Sequence, residues 1–119
     1  MDKNSLLKKD SDYQRVYRAK KISSSKLLTL FTKKNSLKQK RFGITTTKKV
    51  GNAVKRNFLR RRMKALLREN YDLIANAYDY VFVLKKEAAS ASFEDLKKSF
   101  FYVLKRQNKV VKWVKFAYF

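Results

Sequence analysis

The sequence has no cysteine, no histidine and no proline, and only two glycines among its 119 residues. Without cysteine there is neither a disulfide nor a thiolate metal site, which fits a reducing compartment. Without histidine, imidazole-held metals and histidine acid–base catalysis are excluded. Acids are scarce: Asp2, Asp10, Asp12, Glu69, Asp72, Asp79, Glu87, Glu94 and Asp95 are all there are. The close groupings, "DSD" and "ED", fall where helix N-termini are expected, and a carboxylate there answers the helix dipole. A metal site built by this chain alone is therefore not expected. Long apolar runs are missing too, and "MDKNSLLKKDSD" lacks the apolar core of a signal peptide, so the expectation is a soluble, cytoplasmic protein.

Positive charge is abundant. Lysine and arginine number 31 against nine acids, a formal charge of +22. Nineteen of those cations lie between Tyr13 and Arg68, a stretch without a single Asp or Glu. Self-repulsion on that scale opposes compaction, and a polyanion that releases counterions on binding is the usual reason a domain tolerates it. The chain is nonetheless 45% hydrophobic and 14% aromatic, too apolar for a disordered basic tail. Its length suits one domain spanning residues 1–119.

Local patterns give a coarse order of helix, strands, helix, strand, helix, hence an α+β fold with a small sheet. "SDYQRVYRAK" reads as a short amphipathic helix from about Asp12 to Lys20, with Ser11 as N-cap in a capping box with Gln14. "KLLTLFT" from Lys26 and "RFGITTT" from Arg41 suit strands, with "KKNSLKQK" as the hairpin loop between them. In the second, Phe42, Ile44 and Thr46 share one face and Arg41, Gly43, Thr45 and Thr47 the other. Gly43 marks either a bulge or a close contact. "DYVFVLK" from Asp79 is apolar on both faces, as an interior strand is. A second capping box, Ser92 with Asp95, opens a helix whose stripe is Phe93, Leu96, Phe100, Val103 and Leu104. The tail "KVVKWVKFAYF" fits neither period and is read as a helix extension, an edge strand or a docking segment.

The central helix, "KKVGNAVKRNFLRRRMKALLREN" from Lys48, carries cations on nearly every turn. A helix stabilising itself with charge interleaves acids at i,i+4, because like charges at that spacing repel. Wound at 100° per residue, Leu59, Met63, Leu66 and Leu67 fill an arc of about 100°, a core stripe. Arg60, Lys64, Asn57, Arg68 and Arg61 fill the next arc as a coherent ridge. Arginine grips phosphate through its planar fork, and Asn57 both donates and accepts at a base or ribose edge. Asn52 is the expected N-cap, with Lys48 and Lys49 just before it, so helix-terminal N–H groups and two cations can meet the same phosphates.

With that block in view, the chain resembles the bacterial ribonuclease P protein subunit. The family's most specific run is Lys-Lys-φ-Gly-Asn-Ala-Val-x-Arg-Asn-x-φ-Lys/Arg-Arg, and Lys48, Lys49, Gly51, Asn52, Ala53, Val54, Arg56, Asn57, Arg60 and Arg61 match it. The resemblance extends through "DYQRVYRAKK", "RFGITTTKK" and "YDYVFVLKKEAA", about residues 6–107, and leaves residues 108–119 outside. Two departures stand out: the family's Arg-Asn-Arg signature reads Arg56-Asn57-Phe58, and Glu87 replaces the proline common after the fourth strand. Phe58 points away from the core stripe, to stack on RNA or to pack under a neighbouring segment.

The resemblance implies an α-β-β-β-α-β-α sandwich with the basic helix in a left-handed crossover between parallel strands, against the general right-handed rule. It implies a subunit that joins a catalytic RNA in the endonuclease that removes the 5′ leader of precursor tRNA. Mg2+ held mainly by the RNA would carry the hydrolysis, and no protein partner is required. Carried over by position, Arg56, Asn57, Arg60, Arg61, Lys64 and Arg68 would contact the RNA subunit. Tyr13, Tyr17, Thr45, Thr47, Lys48 and Lys49 would line the cleft for the single-stranded leader, with Lys85 and Lys86 as weaker RNA candidates. For the two tyrosines, ordinary core packing is the competing reading. Three rival functions are a ribosomal or nucleoid protein, a membrane-active cationic helix that uses the apolar stripe on lipid, and a stand-alone nuclease.

Overall fold

The computed structural model describes residues 5–111. Seven regular elements follow in order: α1 (Asp10–Arg18), β1 (Lys21–Ser24), β2 (Leu28–Lys34), β3 (Arg41–Thr46), α2 (Ala53–Glu69), β4 (Tyr78–Leu84) and α3 (Phe93–Arg106). The expected α+β class and element order hold. The four strands form one sheet in the order β1-β2-β4-β3, antiparallel except for the parallel pair β3 and β4 that α2 connects.

β4 occupies the interior, as its two apolar faces require. Tyr80, Phe82 and Leu84 face the main core with Leu28, Leu30 and Phe42 of the sheet, Leu59, Met63, Leu66 and Leu67 of α2, and Leu96, Phe100, Val103 and Leu104 of α3. Val81 and Val83 face the opposite side, where Val81 is buried with Leu7 and with Val16 of α1, and Val83 is only partly buried beside them. The result is α1, sheet, then α2 with α3. The α2 stripe is fully buried, so it offers lipid no apolar face.

Two expectations are corrected. The segment between β2 and β3 is not a hairpin loop, because β4 lies between those strands. It arches over the start of β4 instead: the Asn35 amide donates to the Ala77 carbonyl (2.9 Å) and that of Ala77 to Gln39 (3.2 Å). Ser11 is not the N-cap of α1. The helix begins two residues earlier, with the Lys9 carbonyl accepting from the amides of Asp12 and Tyr13 and no side chain capping. Asp10 and Asp12 then both sit in the first turn, where the dipole favours them, and Asp12 is paired with Arg15. Asn52 and Ser92 do cap α2 and α3, accepting from the amides of Lys55 (3.0 Å) and Asp95 (3.1 Å). β1 was not located in the sequence; its "KISS" shows little apolar alternation. α3 ends at Arg106, and Val110 pairs antiparallel with Ile74, so the first residues of the tail do not extend the helix. The rest of the tail lies outside the described residues.

One ion pair joins the parallel strands. Arg41 and Asp79 are register partners, and the guanidinium donates twice to the carboxylate, at 2.9 and 2.7 Å, while the Asn35 side chain donates a third bond at 2.8 Å. Asp79 is 5% exposed, and this partner holds the Arg41 pKa above its ordinary value. Asp79→Ala leaves that cation half-buried and unpaired. The expected loss is about 3 kcal/mol, the low end for breaking a buried pair because Arg41 keeps some access to water. Urea denaturation of both single variants and the double variant checks it: losses that simply add would show the pair to be uncoupled.

Candidate nucleic-acid interface

On the α1 side of the sheet, strand parity and register lay out two cross-strand rows. Ile22, Phe31, Val81 and Gly43 are successive partners, as are Ser24, Thr29, Val83 and Thr45. α1 lies across the first row. Val16 is buried against Val81, the Tyr17 ring meets the Phe31 ring edge-on at 4.9 Å, and Tyr13 passes over Gly43. A Cβ built on Gly43 falls 2.7 to 2.9 Å from the outer atoms of the Tyr13 ring, so Gly43 marks a close contact rather than a bulge. The second row is left beside the helix as the floor of a cleft, with Tyr13 and Tyr17 as its wall. Both tyrosines are half-buried: they pack on the satellite core and still present surface.

Burial pushes both phenol pKa values above the ordinary one. For Tyr13 a backbone hydrogen bond from Ile44 and the charge of Arg60 pull partly back. For Tyr17, Tyr13 and Asp10 add to the rise. Both rings therefore stay neutral near pH 7, with no phenolate to repel a phosphate.

Past the end of β3, Thr47 leads into a 3-10 turn at Lys48–Val50. Val50 is 4% exposed and plugs the main core, which pins the exposed Lys48 and Lys49 at the cleft rim. Gly51, at φ 130°, takes a conformation that favours glycine, and its carbonyl accepts from Arg56 at 3.0 Å. On α2, Arg60 donates to Asn57 at 3.3 Å. Among the described residues no carboxylate is in ion-pair range of Arg60, Arg61, Lys64 or Arg68. The Arg60 charge also reaches Tyr13, where it lowers the phenol pKa against the larger effect of burial. Lys85 differs: it donates to Ser24 Oγ (2.9 Å) and the Ser25 carbonyl (2.6 Å), closing one end of the second row.

Sequence reasoning missed Phe31, Thr29 and Val83. Strand parity predicts their face, but only the sheet order places β2 and β4 beside β3. A concavity of about 1000 Å3 lies elsewhere, along α3 between Leu73, Phe101, Tyr102 and Val110, and is lined by none of the residues placed in the cleft or on the ridge.

Among the described residues no three acids gather as metal donors. Asp79 is consumed by Arg41 and Asn35, and Asp12 pairs with Arg15. The donor set does not fit a resident metal.

The ribonuclease P family pattern matches residues 1–108. The chain belongs to the ribonuclease P protein family. The ribonuclease P protein component of Clostridioides difficile is 41% identical over 103 residues, covering 86% of this chain and 90% of that protein. That of Desulforamulus reducens is 36% identical over 109 residues, covering 92% and 96%. The Staphylococcus aureus RNase P protein superposes with a TM-score of 0.82 at 26% identity over 89% of this chain and 97% of that one. The Thermotoga maritima RNase P protein, at 24% identity and a TM-score of 0.77 over 85% and 96%, shares the fold. Ribonuclease P is a ribonucleoprotein endoribonuclease of tRNA processing, and this chain is its bacterial protein component.

Gly43 gives the cleft a specific test. In Gly43→Ala the new methyl group displaces the Tyr13 ring, whose outer atoms move more cheaply than the backbone does. The variant is expected to keep its melting temperature within a few degrees and to lose affinity for a single-stranded RNA. In a Tyr13→Ala background the same methyl should change nothing further, and additive losses in this double-mutant cycle would refute the displacement.

Proposed function

We propose that the two surfaces divide the RNA between them. Arg56, Asn57, Arg60, Arg61, Lys64 and Arg68 hold the catalytic RNA of ribonuclease P. The cleft of Tyr13, Tyr17, Thr45, Thr47, Lys48 and Lys49, with Thr29 and Val83 in its floor, takes the 5′ leader of precursor tRNA. The observation that carries this reading is that the Tyr13 ring lies on Gly43 of β3, and the end of β3 leads through Lys48 and Lys49 directly into the cationic α2, so one stretch of chain joins the aromatic wall to the ridge. Flat rings accept any base by stacking, and the threonines and lysines meet the backbone, which suits leaders of varied sequence. The ridge supplies charge where two RNAs crowd their phosphates together.

Hydrolysis is assigned to Mg2+ bound mainly by the RNA, in the cytoplasm. The protein's part is to hold the leader and to neutralise phosphates near the scissile bond, which lowers the Mg2+ the complex needs.

Reconstitution tests the reading. Protein, bacterial ribonuclease P RNA and precursor tRNA combined at low magnesium should release the leader, while neither the protein nor the RNA alone does so under the same conditions. Leader release by the protein alone, lost when one of its acids is replaced, would overturn the assignment of chemistry to the RNA. Tyr17→Ala should weaken precursor tRNA binding to the complex by about 1–3 kcal/mol and leave mature tRNA, which has no leader, nearly unaffected. Equal losses for the two would reduce Tyr17 to its packing against Phe31.

A further inference from the structure

The flank of α2 that adjoins the ridge on its Arg61 side carries a feature that neither the ridge nor the cleft explains. Val54 is 74% exposed and Phe58 45% exposed. With Arg62 they follow at i, i+4 and i+8 within an arc of about 80°, and Phe58 lies about 160° around the helix from Arg60. The Phe58 ring is held rather than loose. The Arg62 guanidinium sits over it at 4.7 Å from the ring centroid, is anchored by a 2.9 Å hydrogen bond to the Ala91 carbonyl, and reaches the Phe93 ring at 5.8 Å. Arg62 is thereby fixed between α2 and the start of α3, and one face of Phe58 is occupied while much of the ring stays in water.

We propose that Phe58 is a stacking platform for an unpaired base of the catalytic RNA, with the exposed Lys55 and Arg61 on the neighbouring phosphates; this rests on the reading that α2 binds that RNA. Charge complementarity selects the occupant. The sequence from Tyr13 to Arg68 holds no acid, so an apolar protein surface docking on Phe58 and Val54 would have to bury or face unpaired cations. A nucleotide brings a flat ring for the phenyl and a phosphate for the cations in one unit. The pinned guanidinium on the far face keeps the ring in one orientation, so little freedom remains to be lost when a base arrives.

Salt dependence separates the two kinds of contact. Affinity for bacterial ribonuclease P RNA is measured over a range of salt concentrations for the wild type, Phe58→Ala, Phe58→Trp and Arg60→Ala, with a melting curve for each. Phe58→Ala should bind roughly 5- to 150-fold more weakly at every salt concentration, with the slope of log K against log salt unchanged. Phe58→Trp should match the wild type, while Arg60→Ala should lose roughly 0.7 to 0.9 of slope. Phe58→Ala binding like the wild type overturns the proposal. So does a fall in its slope, which would mean that the ring only posts the Arg62 charge, and so does failure of Phe58→Trp to bind. If the wild type itself does not bind the RNA, the broader reading of α2 fails, and the platform with it.

Discussion

The fold depends on β4 being apolar on both faces. A strand with Tyr80, Phe82 and Leu84 on one side and Val81 and Val83 on the other must have strands at both edges and a layer over each face, or it exposes a continuous hydrophobic surface. Those requirements put β2 and β3 on either side of it and helices above and below. They also make the two faces unequal. The α2 and α3 face takes most of the large side chains, while the α1 face receives one nine-residue helix, too short to cover four strands. The uncovered row beside α1 is the cleft.

Charge imposes the second constraint. So many cations cannot be paired by nine acids, and the few buried acids are spent where they hold the architecture. Asp79 fixes the parallel pair through Arg41, an ion pair added to the backbone ladder of β3 and β4. Lysines are drawn into structural roles as well: Lys40 is 3% exposed, donates to the Ile74 carbonyl and lies 4.1 Å from the Tyr71 ring centroid, and Lys85 closes the β1–β2 turn. The cations of the α2 ridge are different in that, among the described residues, no acid pairs with them. A polyanion is the partner that would relieve them.

Much of this was legible in the chain. The α2 stripe, its Asn52 cap and the ridge follow from a helical period, since i, i+3 and i+4 neighbours are fixed by the 3.6-residue turn alone. The interior place of β4 follows from its composition, and the family followed from the run starting at Lys48. Ser11 misled because a capping box is a local signal, and the Lys9 carbonyl supplied the first acceptor in its place. The loop between β2 and β3 misled for a deeper reason: adjacency in sequence suggests a hairpin, and a strand more than thirty residues later takes the intervening position.

What the sequence determined by itself is therefore what short-range periodicity and composition carry: the elements other than β1, the buried stripe, the cationic ridge and the demand for an anionic partner. Tertiary structure decided which faces meet. Only sheet order sets Thr29 and Val83 beside Thr45, lays Tyr13 on Gly43, brings Arg60 within electrostatic reach of Tyr13 and locks Arg62 between Phe58 and Phe93. Each of those contacts joins elements far apart in the chain, and their proximity is set by packing a two-faced strand between layers, which no local window of sequence contains.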